Sequence, residues 1–262
     1  MSTEKIVFET GAASNTGLVR QVNEDAYLLR PGIGMWAVSD GMGGHAAGQF
    51  ASHMVVDALS GAGGYDDAAG LVADCSARLA AVNDRVREAA RSMGHQRSGA
   101  TVVALILHEK TFACVWCGDS RIYRVRGGMI QQLTRDHSEV EELIIRGLLT
   151  REDAKAWPRK NVITRAIGVA DTLAVETIGG EVEFGDVFVL CSDGLTAHLE
   201  DAEIGATCLV EDVQEAADRL VAATLERGAR DNVTVIVVRC TQREPTVLDF
   251  TGMPRARWAG AS

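Results

Sequence analysis

Residues 101–133 read TVVALILHEKTFACVWCGDSRIYRVRGGMIQQL, and their patterning sets the fold class. Apolar runs of strand length occur at Thr101–Leu107, Thr111–Cys117, Ile122–Arg126 and Met129–Leu133. The links Glu109-Lys110 and Gly127-Gly128 are hairpin-like, so the stretch predicts a meander of neighbouring antiparallel strands. Working outward, similar runs appear at Ala26–Leu29, Gly34–Val38, Leu173–Ile178, Val187–Cys191 and Val233–Arg239. Helical spacing appears in Leu71, Cys75, Leu79, Val82 and Val86, and again in Val213, Ala217, Leu220 and Val221. A third helix is predicted from after Gly44 to near Leu59, with Phe50, Met54, Val55 and Ala58 on its buried side. Many strands and a few covering helices imply a layered α+β architecture rather than strict βαβ alternation.

The 262 residues, 47% hydrophobic and with 4 prolines, supply ample apolar material for one large domain over residues 1–240. Residues 134–170 are charged and helix-like, stand outside the strand series, and read as a flap insertion. Residues 241–262 show no periodicity and read as a mobile C-terminal tail. Cys75, Cys114, Cys117, Cys191, Cys208 and Cys240 lie mostly within apolar runs and read as buried free thiols. Cys114 and Cys117 share a strand, where residues three apart face opposite sides, so they do not predict a metal or redox pair. A net charge of −10 argues against nucleic acid, since a phosphate backbone demands a basic surface. No apolar run reaches the roughly 18 residues of a membrane helix, and Met1–Glu9 does not read as a leader, so a cytoplasmic protein with no membrane partner is expected.

Asp40, Asp119 and Asp193 each follow a strand-like run, Asp231 precedes one, and Asp25 opens another. One Asp-Gly after a strand is ordinarily a turn. Five such placements, with Ser-Asp-Gly at both 39–41 and 192–194, point instead to hard oxygen ligands converging on Mg²⁺ or Mn²⁺. Like charges brought so close require cations to be stable.

Seven segments then occur in a recognisable order: Arg20–Ala26 (RQVNEDA), Ser39–Gly48 (SDGMGGHAAG), Ser98–Thr101 (SGAT), Gly118–Arg121 (GDSR), Leu133–Ser138 (LTRDHS), Ser192–Leu195 (SDGL) and Arg230–Asn232 (RDN). Together they resemble the motifs of the bacterial type 2C (PPM) metal-dependent serine/threonine protein phosphatases. The look of Gly34–Ala58 is also similar to phosphatases that accompany type VI secretion kinases. The resemblance implies an α-β-β-α sandwich of two antiparallel sheets flanked by helices, with a flap insertion. It implies that Asp40 bridges two Mn²⁺ or Mg²⁺ ions, that the Gly41 carbonyl binds one, and that Asp193 and Asp231 hold the other. Asp25 and Glu24 would anchor water around the first ion, and Asp119 would serve a weaker third ion. Two cations about 4 Å apart make hydroxide from a bridging water near neutral pH, without a covalent phosphoenzyme. No cysteine is followed by Arg at the sixth position, so the cysteine-phosphatase loop is absent.

Arg20 resembles the family's phosphate-clamping arginine, its planar fork matching two phosphoryl oxygens. Arg121 reads as structural, and His137 as ordering the flap. His45 has two open readings, a general acid for the leaving alkoxide or a cap on the following helix. The flap departs from the family where relatives have His-Pro and this chain has Trp157-Pro158. The implied substrates are phosphoserine and phosphothreonine proteins of cytosolic kinases, including a cognate kinase, acted on by a monomer. The competing reading is an inactive phosphatase-like module that binds phosphoproteins, which would be expected to lack some carboxylates. Gly41–Ala46 also fits a loose dinucleotide pattern, but the next predicted element is another helix rather than a strand.

Overall fold

The runs at Met35–Ser39, Val102–His108, Val187–Cys191 and Val233–Gln242 become central strands buried on both faces, which is why they lack a clean in-and-out alternation, whereas the edge strands Ala26–Arg30 and Met129–Gln132 alternate. The structure is a computed structural model describing residues 6–43, 46–63, 65, 67–92, 98–159 and 161–242. In chain order its first part comprises β1 (Ile6–Asn15), β2 (Ala26–Arg30), β3 (Met35–Ser39), β4 (Gly41–Met42), α1 (Ala46–Ser60), α2 (Ala68–Ser92) and β5 (Gly99–Ala100). There follow β6 (Val102–His108), β7 (Thr111–Cys117), β8 (Arg121–Arg126), β9 (Met129–Gln132), α3 (Glu139–Ile145) and α4 (Arg151–Lys155). The last part is β10 (Glu176–Glu181), β11 (Val187–Cys191), α5 (Asp193–Thr196), α6 (Asp201–Thr207), α7 (Val213–Glu226) and β12 (Val233–Gln242).

Two five-stranded antiparallel sheets form, in the orders β1-β12-β11-β8-β9 and β10-β7-β6-β3-β2. Between them pack Trp36, Val38, Leu105, Ile122, Phe188, Leu190 and Ile236. The outer face of the second sheet, with Met35, Ala37 and Ala104, packs on Val55, Leu79 and Val82 of α1 and α2. The outer face of the first, with Tyr123, Val189 and Val237, packs on Leu195, Ile204 and Leu220 of α5, α6 and α7. Helix, sheet, sheet and helix layers therefore stack as the motifs implied. Trp36 is fully buried and donates its indole N–H to Thr10 Oγ1 at 3.0 Å. All six cysteines are free and buried, with Cys114 between the sheets and Cys117 on the helix-covered face.

Four local expectations need correction. The 101–133 meander splits between the sheets: β6 and β7 form one hairpin and β8 and β9 another, and the chain changes sheet at Gly118–Ser120. Gly118 makes that corner with φ +117, a backbone region in which side chains are strained. Strand β1 is absent from the apolar pattern because IVFETGAASN is rich in small and polar residues, yet it pairs along its whole length with β12. Its Gly11 lies against the backbone of Val213, where a Cβ would sit 2.2 Å from a carbonyl oxygen. On α1 the buried positions are Ala47, Ala51, Val55 and Leu59, while Phe50 is 40% exposed. Strand β12 runs to Gln242, pairing Thr241 and Gln242 with Val7 and Ile6, so the regular structure reaches two residues past the expected boundary. Residues 243–262 of the expected tail lie outside the described residues.

The 134–170 insertion carries α3 and α4, each started by a hydroxyl cap: Ser138 accepts from the Glu141 N–H and Thr150 from the Asp153 N–H. Its outgoing and returning segments pair, with Glu139 N–H to the Val162 carbonyl and Thr164 N–H to the His137 carbonyl. Asn83 of α2 fixes the return, accepting from Gly168 N–H at 2.8 Å and donating to the Ala170 carbonyl at 3.0 Å. Trp157 is half-buried within the insertion. Among the described residues no helix is long and apolar enough to cross a membrane.

Candidate metal centre

Strand register explains why distant aspartates meet. The start of β2 lies beside the end of β3 through Ala26↔Ser39, the end of β3 beside the start of β6, and the start of β6 beside the end of β7 through Val102↔Cys117. In the other sheet Cys191, ending β11, lies opposite Val235 near the start of β12 and Arg121 at the start of β8. The short link Gly118–Ser120 joins β7 to β8, so both sets of strand ends fall at one end of the sandwich. Asp25, Asp40, Asp119, Asp193 and Asp231 are all delivered there.

Their electrostatics are those of crowded like charges. Burial first, and then the charges of Asp25, Asp193, Asp119 and Asp231, push the Asp40 carboxyl well above the usual carboxylate range. The same combination raises Asp25 to about 7, with Asp193 and Asp231 as neighbours, and Asp119 to about 8, with Asp193 and Asp136. Asp193 rises to about 6 through burial and Asp231, with a hydrogen bond to Asp40 and the charges of Arg20 and Arg121 holding it lower. A buried carboxylate in such company is destabilised unless a cation joins it.

Local hydrogen bonds hold the Asp25 side chain and the backbone of Asp40 and Glu24. Asp25 Oδ2 accepts from Ser192 Oγ at 2.8 Å and Thr234 Oγ1 at 2.7 Å, while its buried Oδ1 has no hydrogen-bond partner among the described residues. The Asp40 backbone N–H donates to Thr101 Oγ1 at 3.1 Å, and its carbonyl accepts from Thr101 N–H at 2.8 Å. The Glu24 carbonyl accepts from Gly41 N–H at 3.2 Å and from Ser52 Oγ at 2.5 Å. Asn232 accepts from Glu24 N–H at 2.8 Å and donates to the carbonyls of Thr16 and Val22, fastening the 16–24 loop to the start of β12.

The two Asp-Gly glycines have a packing reason beyond turn chemistry. A Cβ on Gly41 would stand 2.2 Å from the Gly48 carbonyl oxygen, and one on Gly194 1.9 Å from that of Asn232. Gly48 is constrained less: a Cβ there would meet Glu24 Oε2 at 1.9 Å, the end of a side chain that can turn away, and the Gly41 backbone carbonyl carbon at 2.9 Å. The fixing roles of Ser192, Thr234, Thr101 and Asn232 are not legible in spacing, although Ser192, Thr101 and Asn232 sit inside the motifs.

Arg20 grips Asp231 bidentately, Nε to Oδ1 at 2.9 Å and Nη2 to Oδ2 at 2.7 Å, with about half of its side chain exposed. The fork expected to meet phosphate thus rests on one of the expected ligands, at the rim of the carboxylate cluster. Arg121 behaves as the structural residue anticipated for it. It holds Asp136 bidentately and donates to Tyr123 Oη, which in turn donates to Asp201. Gly44 and His45 lie outside the described residues.

Donor chemistry fits divalent cations: the donors are all oxygen, several carboxylates are packed together, and a buried acceptor on Asp25 is unused. Among the described residues no three Asp, Glu, His or Cys side chains close on one point as a ready cage. The fit therefore rests on charge and donor type rather than on a preformed polyhedron.

A two-sheet antiparallel sandwich that gathers carboxylates at one end is of the class that holds divalent cations on oxygen ligands. The chain belongs to the protein phosphatase 2C family, whose pattern matches residues 18–235. PppA, a key regulatory component of the type VI secretion system in Pseudomonas aeruginosa, superposes with a TM-score of 0.84 at 40% identity, covering 90% of this chain and 99% of that one. The serine/threonine protein phosphatase PstP of Mycobacterium tuberculosis is 34% identical over 241 residues, 90% of this chain. This chain spans 46% of PstP's length. A crystal structure of the PstP catalytic domain in complex with two manganese ions superposes with a TM-score of 0.79 at 33% identity, covering 90% of this chain and 99% of that one. The serine/threonine phosphatase stp of Listeria innocua is 34% identical over 235 residues, covering 86% of this chain and 93% of its own length.

Proposed function

We propose that this chain hydrolyses phosphoserine and phosphothreonine in proteins, with two divalent cations, Mn²⁺ or Mg²⁺, held at the carboxylate end of the sandwich. The observation that carries the reading is the mutual elevation of Asp25, Asp40, Asp119 and Asp193, a cluster that costs stability unless cations complete it. Asp40, central to the cluster, would be shared by both ions. The Gly41 carbonyl would serve one, Asp193 and Asp231 the other, and Asp25 and Glu24 would act through water. Asp119 is the residue for a weaker third ion. Bound there, the cations would supply a water activated at neutral pH and the charge that offsets the phosphoryl oxygens.

The chain's own residues do the rest. Ser192 and Thr234 aim Asp25, and Thr101 fixes the backbone of Asp40, so the donor set is positioned before substrate arrives. Arg20 stands over the rim, and its fork can pass from the Asp231 carboxylate to two phosphoryl oxygens of the same geometry. His45 is the candidate to protonate the leaving alkoxide. The retention of Asp25, Asp40, Asp193 and Asp231 favours an enzyme over an inactive phosphoprotein-binding module. The likeness to PppA supports a narrower reading in which this protein serves a type VI secretion system; a cytoplasmic monomer opposing a Ser/Thr kinase is our proposal for the form it takes. Hydrolysis of p-nitrophenyl phosphate and of a phosphothreonine peptide, each with millimolar Mn²⁺ and with EDTA, tests the proposal. Turnover of both is expected with Mn²⁺ alone, and full turnover in chelator would overturn it.

A further inference from the structure

Glu176 opens β10, an edge strand, and its carboxylate is approached by groups from both ends of the insertion. His137 Nε2 lies 3.2 Å from Oε1, Arg165 Nη1 donates to Oε1 at 2.9 Å, and Arg135 Nη2 donates to Oε2 at 3.3 Å. Arg135 and His137 stand where the chain leaves β9 for the flap, and Arg165 where it returns. One carboxylate therefore ties the outgoing root to the returning root.

The tie continues toward the carboxylate cluster. His137 is buried, stacks on Trp116 at 6.2 Å, and is bound twice to Gly118: its backbone N–H donates to the Gly118 carbonyl at 2.9 Å, and its ring Nδ1 accepts from the Gly118 N–H at 3.1 Å. An accepting Nδ1 assigns the ring proton to Nε2, the nitrogen that faces Glu176. His137 Nε2 stands 3.2 Å from Glu176 Oε1 without the alignment of a hydrogen bond, so the link from Glu176 to the ring is electrostatic, while the ring's link to Gly118, one residue from Asp119, is a hydrogen bond. Two half-exposed arginines on a surface carboxylate would individually contribute little. Here they share one anion with a buried, doubly anchored ring, so the groups are ordered before they meet, and without the anion the two guanidiniums are left as uncompensated like charges.

We propose that Glu176 is a positioning residue that fastens both roots of the flap and sets its placement over the carboxylate end, thereby governing how a phosphoprotein segment is engaged. The inference rests on the phosphatase reading for its kinetic part only. A small phosphate ester needs the carboxylate end and does not need the flap, whereas a peptide extends across it.

The test compares Glu176→Gln, Glu176→Ala and Glu176→Asp with the parent chain by amide hydrogen exchange and by kinetics on a phosphothreonine peptide and p-nitrophenyl phosphate, all at saturating Mn²⁺. Loss of the anion is expected to speed exchange across residues 138–164 by about tenfold, with β3 and β11 unchanged. KM for the peptide should rise about five- to tenfold, while kcat/KM for p-nitrophenyl phosphate stays within about twofold. Glu176→Asp keeps the charge and should recover part of both effects. Unchanged flap exchange in the Gln and Ala variants would overturn the fastening role. An equal fall on both substrates would overturn the selective effect on phosphoproteins. If the parent chain turned over neither substrate, the phosphatase reading would fail, and the exchange result alone would still decide whether Glu176 fastens the flap.

Discussion

Two charged regions of this molecule lie one residue apart along the chain at Gly118–Asp119, and they are built on opposite principles. At the carboxylate end, Asp25, Asp40, Asp119 and Asp193 are crowded, and burial and one another's charge lift their proton affinities. At the flap root a single acid, Glu176, faces two arginines and a histidine. Burial alone would raise it, but the close His137 ring and the nearby arginines prevail and hold its carboxyl below the usual range. The acids of the first region lack compensating charge within the protein, whereas the acid of the second is fully compensated. Incomplete charge is what a cation site requires, and complete charge is what a mechanical joint requires.

The sharpest way to break this contrast is Asp40→Asn. Activity is expected to fall by at least about a hundredfold, on the scale of losing a main electrostatic contribution. Because Asp40 is held protonated-prone by its neighbours, the chelated variant should be no less heat-stable than the chelated parent, and may be compared directly by thermal melts in EDTA. A variant keeping half the parent's activity would show that the cluster is not the reaction centre. A variant much less stable in EDTA would show that the acids are not in conflict.

Arg20→Ala probes the boundary between the two kinds of region, since Arg20 is a cation paired to a member of the acidic cluster. Losing one charge-assisted clamp should lower kcat/KM by roughly ten- to a hundredfold, and Arg20→Lys should restore little because a point charge does not reproduce the fork. The bidentate pair with Asp231 adds a second expectation. With Arg20 gone, Asp231 loses a competitor for its oxygens, so the Mn²⁺ titration midpoint should stay level or fall. A rise as large as that in Asp193→Ala would assign Arg20 to cation binding rather than to phosphate.

Much of this was legible in the sequence, and the omissions have physical causes. Ser39-Asp40-Gly41 and Ser192-Asp193-Gly194 are local signals, so both aspartates of the cluster and both glycines could be found by inspection. The pairing of β1 with β12 could not, because Ile6 and Gln242 are separated by nearly the whole chain and β1 carries no alternation of its own. Nor could Asn232 be seen to staple the 16–24 loop, or Glu176 to join the flap roots, since each acts on partners that only the folded chain brings near. The sheet change at Gly118 was hidden because both hairpins flanking it are regular.

Titration separates the regions by sign. Asp193, Asp25 and Asp119 have folded values of about 6, about 7 and about 8, above the ordinary 3.8, so their favourable contribution is full at low pH and is lost as pH rises through those values. In EDTA the melting temperature should therefore fall between about pH 5 and 8, and added Mn²⁺ should reverse the fall by pairing the ionised carboxylates. His137 has the opposite sign. Burial and then the charge of Arg165 lower it from 6.5, so its contribution is present above that value and is lost as pH drops below it. Flap protection factors, corrected for the slower intrinsic exchange at low pH, should fall on acidification below about pH 6.5 in the parent, since a second ring proton would displace the Gly118 N–H from Nδ1. A metal-free melting temperature that rises from pH 5 to 8 would contradict the picture of conflict at the carboxylate end.

The smallest expected effect serves as the control for the flap root. Arg151 pairs with Glu141 across the insertion at 3.2 Å, with its side chain 75% exposed, and neither residue touches Glu176 or His137 in the contacts described above. An ion pair of that exposure is screened by solvent and salt and contributes at most about 0.5 kcal/mol, less than a threefold change in local opening. Arg151→Ala should leave p-nitrophenyl phosphate kinetics, peptide KM and exchange at residues 138–164 within about that factor of the parent. The value of the variant lies in its closeness to the joint: it removes a flap arginine and an ion pair, as a change at Arg165 would, but not one that shares the Glu176 carboxylate. Should Arg151→Ala loosen the flap as much as Glu176→Gln, any lost charge would suffice. The distinction between a completed joint at the root and ordinary surface pairing above it would then disappear.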